Sequence, residues 1–254
     1  MIGWLLFTAL GCAPVGDESF RQGLQALREG DSSAAVVALT DALDQGGRNA
    51  GVYHAIGNSL YRLDRKAEAA AAWRRGLLLA PRDGDIAANL DHVRGQFRDR
   101  IDPPVQHHQI FFWQSELATI ESAAISAVAM SVAFWIAVAA RVRRLRGGPT
   151  LPSAAAWSQG LAASVGMLLA VSTMDAHQGR NAAVVISEEV EVRSALGPAG
   201  VSLFVLHSGA EVMVDDQTDT HQLISLSDGR KGWVSNDVLL STDPAAPFAL
   251  DMDR

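Results

Sequence analysis

The sequence predicts a multidomain membrane protein that combines an all-α repeat domain, a transmembrane helical hairpin and an all-β barrel. Three observations lead to this prediction. The first part of the chain repeats at an offset of 34 residues, and two apolar stretches flank an arginine-rich loop in its middle. Short runs of alternating apolar and polar residues follow from residue 182. Each of these patterns is typical of a different kind of structure.

Residues 1–12 are interpreted as an export signal. Residues 2–10 form an apolar run that is too short to span a bilayer and similar in length to the core of a signal peptide. Cys12 is the single cysteine of the chain and directly follows Gly11, as in a bacterial lipoprotein cleavage site. Cys12 is therefore a candidate lipidation site. Cleavage at another small residue and an unprocessed apolar end are the alternatives.

The predicted helical domain covers residues 18–100, where residues 34 positions apart match in type. The matching pairs are Gly23 with Gly57, Leu27 with Tyr61, Gly30 with Asp64, Ala35 with Ala69, Leu39 with Trp73 and Leu43 with Leu77. The pattern resembles the tetratricopeptide repeat, in which small residues let paired helices pack closely. It predicts helices over residues 18–29, 33–44, 50–63, 65–80 and 83–100, of which the fifth is a cap. A generic alanine-rich bundle is the alternative.

Five polar residues of the predicted inner face are the candidate partner-binding residues. They lie at helical spacings on the first helix of each unit, and they are His54, Asn58, Arg62, Asn89 and His92. Asn58 and Asn89 are similar to the asparagines with which some tetratricopeptide repeats bind a C-terminal carboxylate. The Lys and Arg partners of that clamp are not evident, and an ordinary solvated face is the alternative.

A linker is predicted over residues 101–117. It contains Pro103 and Pro104, followed by the adjacent His107 and His108. Adjacent side chains point apart on most backbones, and no third ligand lies close in sequence. The pair therefore argues against a metal site.

The membrane hairpin is predicted to consist of spans at residues 118–140 and 153–174, joined by a cytoplasmic loop at 141–152. Each span has the roughly 20 apolar residues that cross a bilayer. The loop holds four arginines and no acidic residue, and short basic loops stay in the cytoplasm. The chain is therefore predicted to cross the bacterial inner membrane twice, with both terminal domains in the periplasm. A pair of core helices in a soluble protein is the alternative.

The predicted barrel covers residues 182–241 and resembles the bacterial SH3-like (SH3b) domain. Its marks occur in the order of that family: Val192-Arg193-Ser194, Gly209, Asp228-Gly229-Arg230 and Gly232-Trp233-Val234. An unrelated small barrel is the alternative. His221 stands where the family often has an aromatic residue, and Trp233 is predicted to lie in the core. This departure argues against peptidoglycan as a ligand. An acidic tail is predicted over residues 242–254.

The order of these domains resembles the BatE-type proteins of bacterial aerotolerance operons. That resemblance implies a scaffold for protein–protein interaction, with von Willebrand factor A-domain proteins and a MoxR-type ATPase as partners. The alternative function is a cell-envelope sensor whose SH3b domain contacts peptidoglycan. A loop of about 12 residues is too small to carry an output domain, which weighs against the sensor.

Composition and motifs point away from an enzyme and from nucleic acid. The net charge of −7 argues against nucleic acid as the main partner. The sequence has no Gly-rich phosphate loop, HExxH, CxxC or Gly-x-Ser-x-Gly motif. The seven histidines are scattered and lack ligand spacing. No catalytic residue, cofactor or metal ligand is therefore predicted.

Overall fold

The computed structural model describes residues 17–99, 119–147, 163–168, 181–196 and 200–250. Its described part combines helices with one antiparallel sheet of seven strands. The helices are α1 (Asp17–Glu29), α2 (Ser32–Asp44), α3 (Ala50–Arg62), α4 (Lys66–Leu79), α5 (Gly84–Arg94) and α6 (Thr119–Leu145). The strands are β1 (Ala182–Val185), β2 (Glu189–Arg193), β3 (Ser202–His207), β4 (Glu211–Gln217), β5 (His221–Ser225), β6 (Lys231–Ser235) and β7 (Leu239–Ser241). We call residues 17–99 the helical unit and the seven strands the sheet unit.

The turns within the helical unit repeat at the predicted offset. In the α1–α2 turn, Gly30 has a positive φ of +87°. Asp64 occupies the equivalent position between α3 and α4 and has a φ of 61°. The next residue closes each turn in the same way, because the Asp31 N–H donates to Ala26 O at 2.9 Å and the Arg65 N–H to Leu60 O at 2.9 Å. The two helix pairs are therefore built alike.

Glycines set the distance between the helices of each pair. A Cβ added at Gly57 on α3 would overlap the Trp73 indole on α4. A Cβ added at Gly23 on α1 would overlap the Leu39 side chain on α2. Only glycine leaves room for these two buried side chains at this spacing. The expectation that small residues let the paired helices pack closely is confirmed at these two positions.

Helix α5 is shorter than the predicted span of residues 83–100. Asp83 caps it by accepting the Ile86 N–H at 3.1 Å, and the helix ends at Arg94. Gly95 follows, and Phe97 then packs against the backbone of Gly209 in the sheet unit. Contact with the sheet unit thus accounts for the early end, because the chain turns away from the helix axis to make it.

The apolar helix α6 matches the first predicted span but continues beyond it. Its segment Ala123–Leu145 is long and apolar enough to cross a membrane, and 11% of its most apolar window is buried. Arg141, Arg143 and Arg144 belong to its end and not to a loop. Cations at a helix C-terminus are favoured by the helix dipole, which explains the extension.

A second helical stretch, at residues 163–168, packs on α6. The Ser126 hydroxyl donates to Gly166 O at 2.8 Å, and Gly166 lies against Met130. Small residues at a helix contact are typical of association in lipid. The other residues of the predicted second span, and Cys12 and the linker at 101–117, lie outside the described residues.

The sheet has the order β3-β2-β6-β5-β4-β1-β7, and all of its pairings are antiparallel. Its own core includes Val190, Val192, Leu206, Val212, Ile224 and Val234. Trp233 is half-buried and alternates with the buried Gly232 and Val234. The prediction that Trp233 lies in the core is therefore wrong, because strand alternation places it on the face opposite Val234.

The predicted acidic tail packs against the helical unit. We call residues 242–250 the strap. Its Phe248 is 6% exposed and joins the core of the helical unit together with Val184 and Leu240. The helical unit and the sheet unit therefore share a core.

Candidate functional site

The candidate residues lie where α3 and α5 run side by side. Asn89 on α5 contacts His54 and Asn58 on α3, which precede it by 35 and 31 residues. His92 contacts Tyr61, again 31 residues earlier. These separations bracket the repeat period, so equivalent helices of successive pairs lie next to each other. We call the surface formed by His54, Asn58, Tyr61, Asn89, His92 and Gln96 the α3/α5 face.

Three of the five predicted residues form one hydrogen-bonded cluster on this face. The Asn89 amide nitrogen lies 3.1 Å from Asn58 Oδ1 and 3.1 Å from His54 Nε2. All three side chains are half-buried. The Asn89 side-chain oxygen has no hydrogen-bond partner in the described part of the chain. This cluster therefore presents a fixed acceptor to whatever binds the face.

The fourth predicted residue, His92, belongs to a second cluster with Tyr61 and Gln96. Tyr61 Oη lies 3.2 Å from His92 Nε2 and accepts the Gln96 side-chain amide at 3.1 Å. The Tyr61 ring also lies against the Trp73 indole, with ring centroids 5.9 Å apart. Tyr61 and Gln96 escaped the sequence-based prediction. The repeat offset pairs Tyr61 with the apolar Leu27, which favours a packing role, and Gln96 follows the end of α5.

Arg62 is exposed and turns away from both clusters. Its Nη1 donates to Leu27 O at 3.2 Å, at the end of α1. The same carbonyl also accepts the Gly30 N–H at 3.3 Å, so Arg62 adds a second hydrogen bond at the end of α1. The structure thus separates Arg62 from the cluster of His54, Asn58 and Asn89.

The six residues of the α3/α5 face offer amides, imidazoles and a phenol. Such groups both donate and accept hydrogen bonds, which suits recognition of a peptide backbone or a polar side chain. No group of three or more His, Cys, Asp or Glu side chains that could hold a metal ion occurs among the described residues. The chain matches no protein-family model, no curated protein and no solved structure.

A second set of polar residues joins the helical unit to the sheet unit. The Arg94 Nε donates to Glu211 Oε1 at 2.6 Å, and Glu211 is 5% exposed. The carboxylate of Asp99 accepts the His207 N–H at 2.6 Å and lies 3.0 Å from His207 Nδ1. Burial lowers the pKa of the nearby Arg74, and the Glu211 carboxylate partly offsets that effect. These contacts fix the orientation of the two units.

Arg75 is the most deeply buried charged group at this junction. It is fully buried on α4, and its guanidinium donates to three carbonyls at 2.8–3.1 Å. Burial lowers the pKa of Arg75, and the neighbouring Tyr53 hydroxyl partly offsets that effect. The one signal in the sequence was the position of Arg75, two residues after Trp73 and the alanine-rich run before it. An arginine at such a place needs a specific partner.

An open cleft lies beside this junction. Its volume is about 620 Å³, and it is lined by the start of α4, the residues after α5 and the β1–β2 turn. Its charges are matched, because Lys66 pairs with Asp64 at 3.0 Å and Arg65 with Glu68 at 2.6 Å. The cleft therefore lacks the net charge that would attract an ionic ligand.

Proposed function

We propose that this protein is a membrane-anchored periplasmic adaptor that binds protein partners through the α3/α5 face. The observation that carries the proposal is the cluster of His54, Asn58 and Asn89. These three polar side chains are held in place by one another and remain partly accessible. Preorganised polar groups on a rigid helical surface lose little entropy on binding.

We further propose that the helical unit is a tetratricopeptide-type stack. Support comes from the two glycine contacts and the two turns, which recur 34 residues apart with the same geometry. Helix α5 covers the second pair and leaves its own outer side exposed, as a capping helix does. A stack of this kind presents an extended surface to a protein partner.

For the sheet unit, we propose an SH3-like barrel. Support comes from seven short antiparallel strands that all contribute side chains to one apolar core. The turn between β5 and β6 has Gly229 at φ +86°, and Arg230 lies 4.6 Å from the Phe204 ring centroid. The Asp228-Gly229 turn between two strands supports this proposal, because that turn is one of the marks that suggested the family.

The proposed topology is two-pass. The helix α6 supplies the first span, and the helical residues 163–168 lie within the proposed second span of residues 153–174. The arginines at the end of α6 support a cytoplasmic position for that end, because basic residues beside a membrane span are typical of the cytoplasmic side. The helical unit and the sheet unit then both face the periplasm at the inner membrane.

Within this reading, the adaptor acts in a BatE-like envelope complex without catalysing a reaction. The order of its units supports partners that are themselves membrane-associated, such as von Willebrand factor A-domain proteins and a MoxR-type ATPase. The buried contacts between the helical and sheet units support a role as one rigid platform. A rigid platform holds two partners at a fixed distance.

A pull-down from detergent extracts tests the adaptor. The variant carries Asn58→Ala and Asn89→Ala, and the control carries Gln25→Ala, an exposed polar residue of α1. We expect partner recovery to fall at least about tenfold in the double variant, which corresponds to roughly 1.4 kcal/mol of lost contacts. The control should retain full recovery. Undiminished recovery by a folded double variant would contradict the α3/α5 face as the binding site.

One observation favours a second candidate, the envelope sensor. Trp233 is half-buried outside the sheet core, and Leu203 and Val205 of the nearby edge strand are 51% and 38% exposed. Partly exposed aromatic and apolar side chains on one sheet face suit contact with cell-wall peptides. Sedimentation of the purified chain with sacculi separates the two functions, because the adaptor stays in the supernatant and the sensor does not.

A further inference from the structure

The strap contacts the helical unit mainly through its own backbone carbonyls. Arg75 donates to Ser241 O, at the end of β7, at 3.0 Å, to Ala246 O at 2.8 Å and to Pro247 O at 3.1 Å. Tyr53 Oη donates to Pro244 O at 3.1 Å, and Arg48 Nη1 to Ala245 O at 3.1 Å. Side chains of the helical unit thus hold the strap backbone much as a receptor holds a peptide.

One side chain of the strap anchors it. Phe248 is 6% exposed, its ring meets the Tyr53 ring edge-on with centroids 6.1 Å apart, and the Arg75 guanidinium lies 4.7 Å from its centroid. An aromatic side chain in a closed pocket is the usual centre of a binding interface. Arg75 therefore contacts the strap twice, through the carbonyls and through this ring.

The strap is also preorganised. Pro244 and Pro247 restrict its backbone, and the Ala246 N–H donates to Asp243 O at 3.1 Å to close a turn. The Ala245 N–H donates to the Asp243 carboxylate at 2.9 Å. A segment that holds its own shape loses little conformational entropy when it docks.

We propose that the surface formed by Tyr53, Arg75 and Arg48 is a peptide-binding site whose ligand is the strap, and that the strap is detachable. The ligand class is a short turn with two prolines followed directly by a phenylalanine. The same segment of a second copy of this chain has that chemistry and fits in trans. Tyr53 precedes His54 by one position on α3 and therefore lies about 100° around the helix from it, so this site is distinct from the α3/α5 face.

The buried charge of Arg75 explains why the peptide-binding site stays occupied by the strap. Its hydrogen-bond partners in the described structure are carbonyls and not a carboxylate. A buried guanidinium without these partners is costly. When the strap leaves, an equivalent segment must take its place or water must enter. The site therefore favours exchange of like segments over an empty state.

A fluorescent peptide with the sequence of residues 241–250 tests the proposal on the full chain in detergent. In the parent chain the strap competes with the peptide. In the variant Phe248→Ala the competitor is weakened and the receptor residues are intact. We expect the peptide to bind this variant at least about tenfold more tightly than the parent, because apparent affinity scales with the fraction of vacant sites.

Two controls make the test specific. The double variant Phe248→Ala with Arg75→Lys keeps a buried cation but loses the planar fork that reaches three carbonyls, and it should bind at least about tenfold more weakly. A peptide that itself carries Phe248→Ala should not bind. Equal peptide binding to the parent and to Phe248→Ala, or no binding to either, would overturn the proposal.

A second variant ends after Thr242 and lacks the rest of the strap. It should keep its helical circular dichroism and bind the peptide, since a receptor survives the loss of its ligand. Loss of the helical signal in both this variant and Phe248→Ala would show that the strap is an inseparable part of the core. That result would also overturn the proposal.

Discussion

Replacing Gly57 by alanine tests the close approach of α3 and α4. The three atoms nearest to an added Cβ all belong to the Trp73 indole, and each lies closer than real Cβ contacts allow. Overpacking of this kind typically costs about 1–3 kcal/mol, whereas alanine gains about 1 kcal/mol over glycine inside a helix. The buried indole is rigid, so we expect the upper part of the range and a net loss of about 1–2 kcal/mol.

Two further substitutions calibrate this value. Gly84→Ala, in the first turn of α5, has no atom within 4 Å of the added Cβ and should leave stability unchanged or raise it by up to about 1 kcal/mol. Gly23→Ala meets Cγ and Cδ2 of Leu39, an aliphatic side chain that adjusts more easily than an indole ring, so its cost should lie between those of the other two.

Thermal unfolding of the full chain in detergent, followed by far-ultraviolet circular dichroism, measures all three. For a chain of this size, each kcal/mol shifts the midpoint by about 2–4 °C. Gly57→Ala should therefore melt roughly 2–8 °C below the parent, with Gly84→Ala at or above it. Equal midpoints for Gly57→Ala and Gly84→Ala would refute the inferred contact between α3 and the Trp73 indole.

Three other expectations concern the sheet unit and the membrane. Because Trp233 is half-buried, Trp233→Ala should lower the free energy of unfolding by less than the about 3–5 kcal/mol that is typical of a buried aromatic residue. Denaturant unfolding measures this loss, and a value within that range would show that Trp233 belongs to the core. Burial alone would raise the pKa of Asp215, but hydrogen bonds from Lys231 and Ser225 hold it below the ordinary value of 3.8. Its stabilising contribution is therefore present above about pH 4 and is lost as the pH falls through the lowered pKa, and Asp215→Asn should flatten that part of the stability profile; an unchanged profile would contradict this. In a Cys12→Ser background, cysteines introduced at the exposed Gln22 and Asp237 should react with an impermeant thiol reagent on spheroplasts. A cysteine introduced at Gly148 should not react. Labelling at Gly148 alone would reverse the proposed topology.

Features that depend on local spacing were predictable from the sequence. The offset of 34 residues located both helix pairs, the turn positions Gly30 and Asp64, and the packing side of Gly57. The same spacing brought His54, Asn58 and Asn89 onto one surface. The repeat period and the position of a residue along a helix can be read from the sequence alone, without knowledge of which residues meet in the folded structure.

Features that depend on contacts distant in sequence were missed. Arg75 binds carbonyls 166–172 residues away, and no local pattern records such a contact. The acidic residues near the end of the chain suggested a tail, although Phe248 buries itself in the helical unit. Trp233 was assigned to the core from its residue type, whereas the alternation of side chains along β6 places it on the opposite face of the sheet. The end of α5 was set too late because the docking of Phe97 was invisible in the sequence.

The strength of the contacts determines which parts move together. The helical and sheet units share a core and are joined by the partly buried Arg94–Glu211 pair, so separating them would expose apolar surface and break that pair. The helical unit meets α6 through Arg82 and Glu121, which lie 2.8 Å apart with side chains 60% and 40% exposed. Exposed pairs of this kind contribute about 0–1 kcal/mol and weaken with salt. We therefore expect the helical and sheet units to move as one body. The contact between the helical unit and α6 should break before the contacts between the two units do.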